Sequence, residues 1–296
     1  MNYKCAGIVL FNPEMERLKL NIISIKKQVD LLILVDNGSS NIEKIIKEYS
    51  EYNEILIIRN NKNKGIAFAL NQICKKAIEK QFDWTLLLDQ DSICSDNMII
   101  EYKKYLYTEK VALLTPFIID INKLTTIKYS EMTLPTVSEV QWAITSGSLV
   151  NLNILSKLKF FSEDLFIDMV DFDYSIRLNL NNYTQLRINS TYLLQEVGNA
   201  EKTKLFRIQK DNSGKWSIKR YYRTNHSILR QYYMTRNRII LSKKYSKYRS
   251  FYKSFFYTLL LSFPKIFVEK NKVAIFNTLF NGLRDGLKYD VEKYQL

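Results

Sequence analysis

A chain of 296 residues, 46% of them hydrophobic, can bury a core that needs no disulfide or metal to hold it. Eight Gly and four Pro exclude long low-complexity tracts, and the spacing of Cys5, Cys74 and Cys94 excludes a disulfide framework or a cysteine zinc site. The net charge of +14 is uneven: residues 202–272 hold 19 Lys and Arg against two acids, a local +17, so the remainder is slightly acidic.

Met1-Asn2-Tyr3-Lys4 leads directly into an apolar run, so no signal peptide is expected. Three unpaired thiols fit a reducing compartment. The longest apolar stretch, Ser254 to Val268, is interrupted by Pro264 and Lys265 and falls short of the roughly 20 residues that span a bilayer. A cytoplasmic protein, free or held at a surface, is the expectation.

Tyr3 to Phe11 is a continuous apolar run, the pattern of a buried strand. After a turn at Asn12-Pro13, Met15, Leu18, Ile22, Ile25 and Val29 fall at helical intervals. Leu31 to Val35 predicts a second strand, closed by the turn cluster Asp36-Asn37-Gly38-Ser39-Ser40. Ile42 to Tyr49 predicts a helix and Glu54 to Arg59 a third strand, followed by the polar loop Asn60 to Gly65. Ile66 to Lys80 predicts a helix with Ala67, Leu70, Ile73, Cys74 and Ala77 on one face, and Trp84 to Leu88 a fourth strand. Further strands are expected over Val111 to Asp120 and Ala143 to Asn151, and an extended-to-helical segment over Leu165 to Leu178. From Tyr221 the pattern changes to long basic-aromatic helices.

Strands alternating with helices predict a parallel α/β sheet with right-handed crossovers. Such sheets bind ligands outside the carboxyl ends of their strands. The polar clusters lie there: Asn12, Asp36, Asn63, then Asp89 with Asp91. No GxGxxG or Walker lysine motif is present, which disfavours a dehydrogenase or a P-loop ATPase.

Asp89-Gln90-Asp91 sets two carboxylates at i and i+2, able to meet one Mg²⁺ or Mn²⁺, or to form a solvated turn. Asp36 at a strand end could accept from a nucleobase or a ribose hydroxyl, or cap its own turn. Asp168, Asp171 and Asp173 stand within six positions in an apolar setting, where mutual repulsion raises a pKa toward that of a general base. Helix-terminus stabilisation is the plainer role for Asp168 and Asp173. His226 is the single histidine, either structural or on the acceptor side.

Val35-Asp36-Asn37-Gly38-Ser39, Asn60-xx-Asn63-x-Gly65-Ile66-Ala67 with Ala69-Leu70-Asn71, and Leu88-Asp89-Gln90-Asp91-Ser92 resemble the family 2 glycosyltransferases. Phe11-Asn12-Pro13 and the Asp-Gln-Asp-Ser form are similar to the bacterial rhamnosyltransferase branch. Leu165 to Asp173 and Arg230-Gln231-Tyr232-Tyr233-xx-Arg236-Asn237 extend the likeness to Asn237.

The resemblance implies a GT-A fold, a nucleotide-sugar donor and Mg²⁺ or Mn²⁺. Asp36 would read the nucleobase and Asp89 the ribose, within a donor site that includes Asn12, Asn37, Asn63, Gly65, Asn71 and Gln90. Asp91 would hold the metal, with Gln195 standing where many members carry His. Asp171 would be the base of an inverting transfer, set by its distance to Arg177. Val170 departs from the Glu common at that place. Ser146 and Gly147 match a small-residue segment of the cleft, and Asp168, Asp173, Arg177 and His226 would lie on the acceptor side.

The implied layout is a GT-A catalytic domain over residues 1–220, its nucleotide-sugar half 1–110 and its acceptor half 111–220, followed by a helical basic-aromatic region over 221–296. Tyr245, Tyr248, Phe251, Tyr252, Phe255 and Phe256 interleave with Lys243, Lys244, Lys247, Arg249 and Lys253. Aromatic rings and clustered cations suit the inner face of a bacterial membrane, where a lipid-linked glycan acceptor would sit. The same tail could instead contact nucleic acid, a reading that leaves the strand-end aspartates without a role.

Overall fold

The computed structural model describes residues 1–122, 125–196, 201–210, 216–223, 226–269 and 271–291. They form two compact units, one of Met1–Phe166 with Val170–Glu196, the other of Ile167–Met169 with residues from Val197 onward.

The first unit opens with β1 (Cys5–Leu10), α1 (Met15–Lys26), β2 (Leu31–Asp36), α2 (Ile42–Tyr49), β3 (Ile55–Arg59), α3 (Ile66–Glu79) and β4 (Trp84–Asp89). Every one of these was expected from the apolar pattern. The reason is burial on both faces of the sheet, which fills strands with continuous apolar residues. Ala6, Ile8 and Leu10 of β1, with Leu32, Leu34, Leu86 and Leu88, join Leu18, Ile22 and Ile25 of α1 in one core. On the opposite face Gly7 lies so close to Ile73 of α3 that a Cβ would stand 2.2 Å from its side chain.

The rest of this unit comprises β5 (Ile93–Cys94), α4 (Met98–Lys103), β6 (Val111–Asp120), α5 (Thr126–Ser130), β7 (Val137–Glu139), β8 (Ser148–Asn151) and α6 (Leu152–Lys157). A 3₁₀ turn at Glu163–Leu165, α7 (Val170–Leu180) and β9 (Thr184–Gln195) complete it. The strand expected over Ala143 to Asn151 is confined to β8, because Ser146 and Gly147 form a turn with Gly147 at φ +79°.

The sheet order is β3-β2-β1-β4-β8-β6-β9-β5, with β7 also paired to β9. β3, β2, β1, β4, β6 and β9 share one direction, and β8, β5 and β7 oppose it. This is the mixed, mostly parallel α/β architecture of the GT-A type.

The second unit contains the antiparallel pair β10 (Glu201–Lys210) and β11 (Trp216–Arg223), then α8 (Ile228–Lys244), α9 (Phe251–Val268) and α10 (Lys272–Lys288). α10 packs on α8 through Gly282 and Gly286, where a Cβ would stand 2.9 Å from the Tyr232 carbonyl and 2.7 Å from Ile239 Cβ. α9 continues through Pro264, so that proline interrupts the apolar composition without ending the helix. Among the described residues no helix is long and apolar enough to cross a membrane.

Candidate active site

Parallel register sets the polar strand ends side by side: Leu10 pairs with Asp36, Asp36 with Arg59, and Val9 with Asp89. This is the sheet edge at which open α/β folds take ligands.

Asp36 is fully buried, and its carboxylate accepts from the N–H groups of Gly38 (3.2 Å) and Ser39 (3.1 Å). The turn-capping role is therefore realised, and an ionised carboxylate keeps further lone pairs for a ligand. Asn37 donates to Asn63 Oδ1 (3.0 Å) and the Gly65 carbonyl (3.1 Å) and accepts from Lys64 N–H (3.0 Å). Asn63 Oδ1 also accepts from Gly65 N–H at 2.9 Å. One asparagine thus pins the 60–65 loop against the end of β2.

Asn12, at φ +48°, does the equivalent on the other side. Its Oδ1 accepts from Ser40 N–H (2.8 Å) and the Ser40 hydroxyl (2.9 Å), and its N–H donates to Ser39 Oγ (2.8 Å). Gln90 accepts from Phe11 N–H at 2.8 Å and donates to the Phe11 carbonyl at 3.3 Å, tying the ends of β1 and β4. Asn71 is buried on α3 and bonded to the backbone of Phe161, deeper than this edge.

Gly65 has φ +91°, a conformation that L side chains rarely adopt. A Cβ there would stand 2.6 Å from the Phe166 carbonyl, which accepts from Ile66 N–H at 2.6 Å.

Asp89 is held from three sides. Its N–H donates to Ser146 Oγ (3.1 Å), its carbonyl accepts from Asn21 Nδ2 (2.5 Å), and its carboxylate accepts from Gln195 Nε2 (3.3 Å). Ser146 also bonds Ser92 at 2.9 Å, while Gly147 donates to the Leu87 carbonyl and accepts from the Tyr102 hydroxyl. Ser146 therefore braces the Asp89–Ser92 turn from within the sheet, and Gly147 is fastened to Leu87 of β4 just before it.

Asp91 is half-buried, and burial raises its pKa. Its own backbone N–H and Arg17 act against that rise, and nearby Glu196 adds to it. Arg17 is ion-paired with Glu196 and, at 3.1 Å, with Glu14. Sequence reasoning assigned no role to Arg17 or Glu196. A lone arginine on α1 looks like any solvated helix cation, whereas the place of Glu196 beside Gln195 was an available signal.

Among the described residues no three His, Cys, Asp or Glu side chains gather as a metal cage. Carboxylates such as those of Asp89 and Asp91 are the oxygen donors that Mg²⁺ or Mn²⁺ could take, with water completing the shell.

Asp171 opens α7, and its Oδ1 accepts from Phe172 N–H at 2.9 Å. Asp173 and Arg177 lie inside the protein, 0% and 2% exposed, joined at 3.0 Å. Asp173 accepts from Ser162 Oγ at 2.7 Å, and Arg177 donates to the Leu158 carbonyl. They fasten α7 to the 158–162 segment. In the C-terminal unit, Asp168 accepts from Arg230 Nε (3.1 Å) and Nη2 (3.0 Å). Asn237 donates to the carbonyls of Ile167 and Asp168. Two of the three aspartates are thus each matched by an arginine, which replaces the mutual repulsion expected of the trio. His226 is half-buried in the same unit, and its pKa is lowered by burial and by nearby Arg230 and Lys265, against the pull of Asp168.

Residues 7–173 match the family described as Glycosyl transferase family 2. Over 303 residues the chain is 26% identical to dTDP-rhamnosyl transferase RfbF of Shigella flexneri, covering 96% of this chain and 95% of that one. Among solved structures it is similar to S. aureus TarS 1-349 in complex with UDP-GlcNAc, with TM-score 0.63 and 12% identity over 97% of this chain and 81% of that one. GalNAc-T7 with UDP, GalNAc and Mn²⁺ gives TM-score 0.55 and 14% identity over 65% of this chain, which spans 43% of that one. The chain belongs to glycosyl transferase family 2. It is a glycosyltransferase of GT-A-like fold.

Proposed function

We propose that this glycosyltransferase transfers L-rhamnose from dTDP-L-rhamnose, with inversion, to a hydroxyl of a lipid-linked surface glycan at the inner face of the bacterial membrane. O-antigen, capsule and cell-wall glycans are the acceptor class. The observation that carries the donor is the 26% identity to a dTDP-rhamnosyl transferase across 96% of this chain.

In this reading Asp36 accepts from the nucleobase, while the loop pinned by Asn37 and Asn63 walls the base and Asn12 and Gln90 keep the strand ends in register. Asp89, steadied by Ser146 and Gln195, accepts from a ribose hydroxyl. Asp91 holds Mg²⁺ or Mn²⁺ against the diphosphate, and such a cation neutralises charge on the departing group. Asp171 takes the proton from the acceptor hydroxyl as its oxygen attacks the anomeric carbon opposite the leaving diphosphate. The catalytic domain would occupy residues 1–220 and the helical region 221–296 would serve the acceptor side, His226 with it.

TarS is a structural neighbour solved with UDP-GlcNAc, which keeps a UDP-hexose donor as the second reading. A donor screen with Mg²⁺ or Mn²⁺ and bacterial membrane extract decides between them. Sugar incorporation from dTDP-rhamnose and none from UDP-hexoses is the expected result. Incorporation from a UDP-hexose alone would overturn the donor assignment.

A further inference from the structure

Helix α9 is inside out. Its buried stripe is polar: Thr258, Ser262 and Lys265, at 2%, 3% and 9% exposure, follow one another at four and three residues. Two of these carry cost without return, since Ser262 Oγ and Lys265 Nζ have no hydrogen-bond partner. The opposite stripe is apolar and open: Tyr252, Phe256, Leu260, Phe263 and Phe267 are 74%, 66%, 69%, 63% and 56% exposed. A helix bathed in water turns the other way round.

Helix α10 shows the same bias on its free side. It buries Ile275, Leu279, Gly282 and Gly286, yet Val273, Phe276 and Phe280 remain 71%, 54% and 57% exposed. Single exposed apolar residues are ordinary, but two adjoining helices that each display a continuous stripe mark a surface made for an apolar medium.

The charges say which medium. Exposed Lys247, Arg249 and Lys253 stand at the start of α9, and exposed Lys272 and Lys288 at the two ends of α10. Cations at the ends of apolar stripes match a bilayer, where rings and aliphatic groups enter the acyl boundary and ammonium groups remain with anionic headgroups. Eighteen residues of helix are about 27 Å long, and no described helix is long and apolar enough to cross a membrane, so the fitting orientation is in the plane of the surface.

We infer that the open stripes of α9 and α10 form an in-plane docking face for an anionic phospholipid surface. This deepens the reading of a membrane-held acceptor, yet stands on the two helices alone. It keeps Tyr252 and Phe256 of the basic-aromatic stretch marked by sequence and drops Tyr245, which is 4% exposed and belongs to the core.

The test uses the full chain and vesicles of phosphatidylcholine with and without phosphatidylglycerol. Flotation should recover the protein with anionic vesicles, and added salt should weaken that recovery. Phe256→Glu with Phe263→Glu should reduce partitioning by roughly tenfold or more while circular dichroism is unchanged. Because charged variants can misfold, Phe263→Trp provides a second reading: its emission should shift to the blue when anionic vesicles are added. Wild-type flotation by the Glu variant, or no shift in the Trp variant, would overturn the inference. So would a stable oligomer in sedimentation velocity that the same substitutions disperse, with no vesicle binding. Donor hydrolysis without membranes is followed in parallel, so loss of the transfer reading is distinguished from loss of the docking face.

Discussion

Asn71 treats the backbone of Phe161 as a paired strand would: Nδ2 donates to its carbonyl and Oδ1 accepts from its N–H, both at 3.0 Å. Nδ2 donates again to Glu163 at 2.8 Å. Asn71→Ala would leave two buried backbone groups unpaired, a loss of about 2–3 kcal/mol. Urea unfolding should show that loss while the folded fraction keeps its donor affinity. A fall in donor affinity at unchanged stability would instead support Asn71 as a donor-site residue.

Asp171 has the proposed role that geometry alone cannot replace. Asp171→Asn keeps size and hydrogen-bonding but removes the proton acceptor, so kcat should fall by about 10²–10⁴-fold. Donor affinity, measured by calorimetry, should remain. Retention of full turnover would place the base elsewhere.

For Asp91 the sign of the pKa shift makes two effects diverge. Burial raises the folded pKa, so the folded protein holds this proton more tightly, and ionisation opposes folding from the ordinary aspartate range upward, in full above the raised value. Asp91→Asn should therefore be at least as stable as wild type at neutral pH while losing metal-dependent donor binding. In the wild type, donor binding with Mg²⁺ should weaken on acidification sooner than an ordinary aspartate would dictate. A titration of donor affinity against pH checks this.

The Asp173–Arg177 pair, 0% and 2% exposed, should respond to truncation of either partner. Arg177→Met leaves a buried carboxylate uncompensated and should cost about 3–5 kcal/mol in urea unfolding. Adding Asp173→Leu should restore much of that loss. If the double variant is as unstable as the single, the pair does more than neutralise itself.

Lys265 is 9% exposed, and burial lowers its pKa to about 8, helped by Arg238 and opposed by Glu269 and Asp168. The folded state therefore releases this proton before the unfolded chain does, and the associated penalty is full below about 8 and fades as pH rises toward the ordinary lysine value of 10.5. Lys265→Met should be the more stable form at neutral pH, and its advantage should shrink across that window. Buried cysteines and tyrosines titrate at the same end of the scale, so the difference between the two proteins, not either curve alone, is the measurement.

The α/β frame up to β4 was legible because each strand is apolar on both faces and each helix keeps its period. β9 was hidden by its own hydrogen bonds. Its pairing jumps from Ile188 opposite Pro116 to Tyr192 opposite Phe117 within one step of β6, and the intervening Asn189, Ser190 and Thr191 form a bulge. Thr191 is fully buried against Ser95 at 2.5 Å, which in sequence reads as a polar loop. The strand-end aspartates were legible through spacing. Their supports were not, because Asn21 and Ser146 meet Asp89 only after the fold brings positions 68 and 57 residues apart into contact. α9 misleads any reader of periodicity, since its stripe is regular but faces away from the unit it belongs to.

The hydrogen of Gly65 sits against Phe166, four residues before α7 begins. Between them Asp168 and Met169 hold φ of +64° and +66°, a segment with little slack. Engineering the 60–65 loop is therefore not a local operation. A side chain larger than hydrogen at position 65 meets the carbonyl and Cα of residue 166, which no substitution at 166 removes, and displaces the peptide that leads into Asp171, so a library meant to change donor preference has to leave Gly65 fixed or risk the proposed base along with the old specificity.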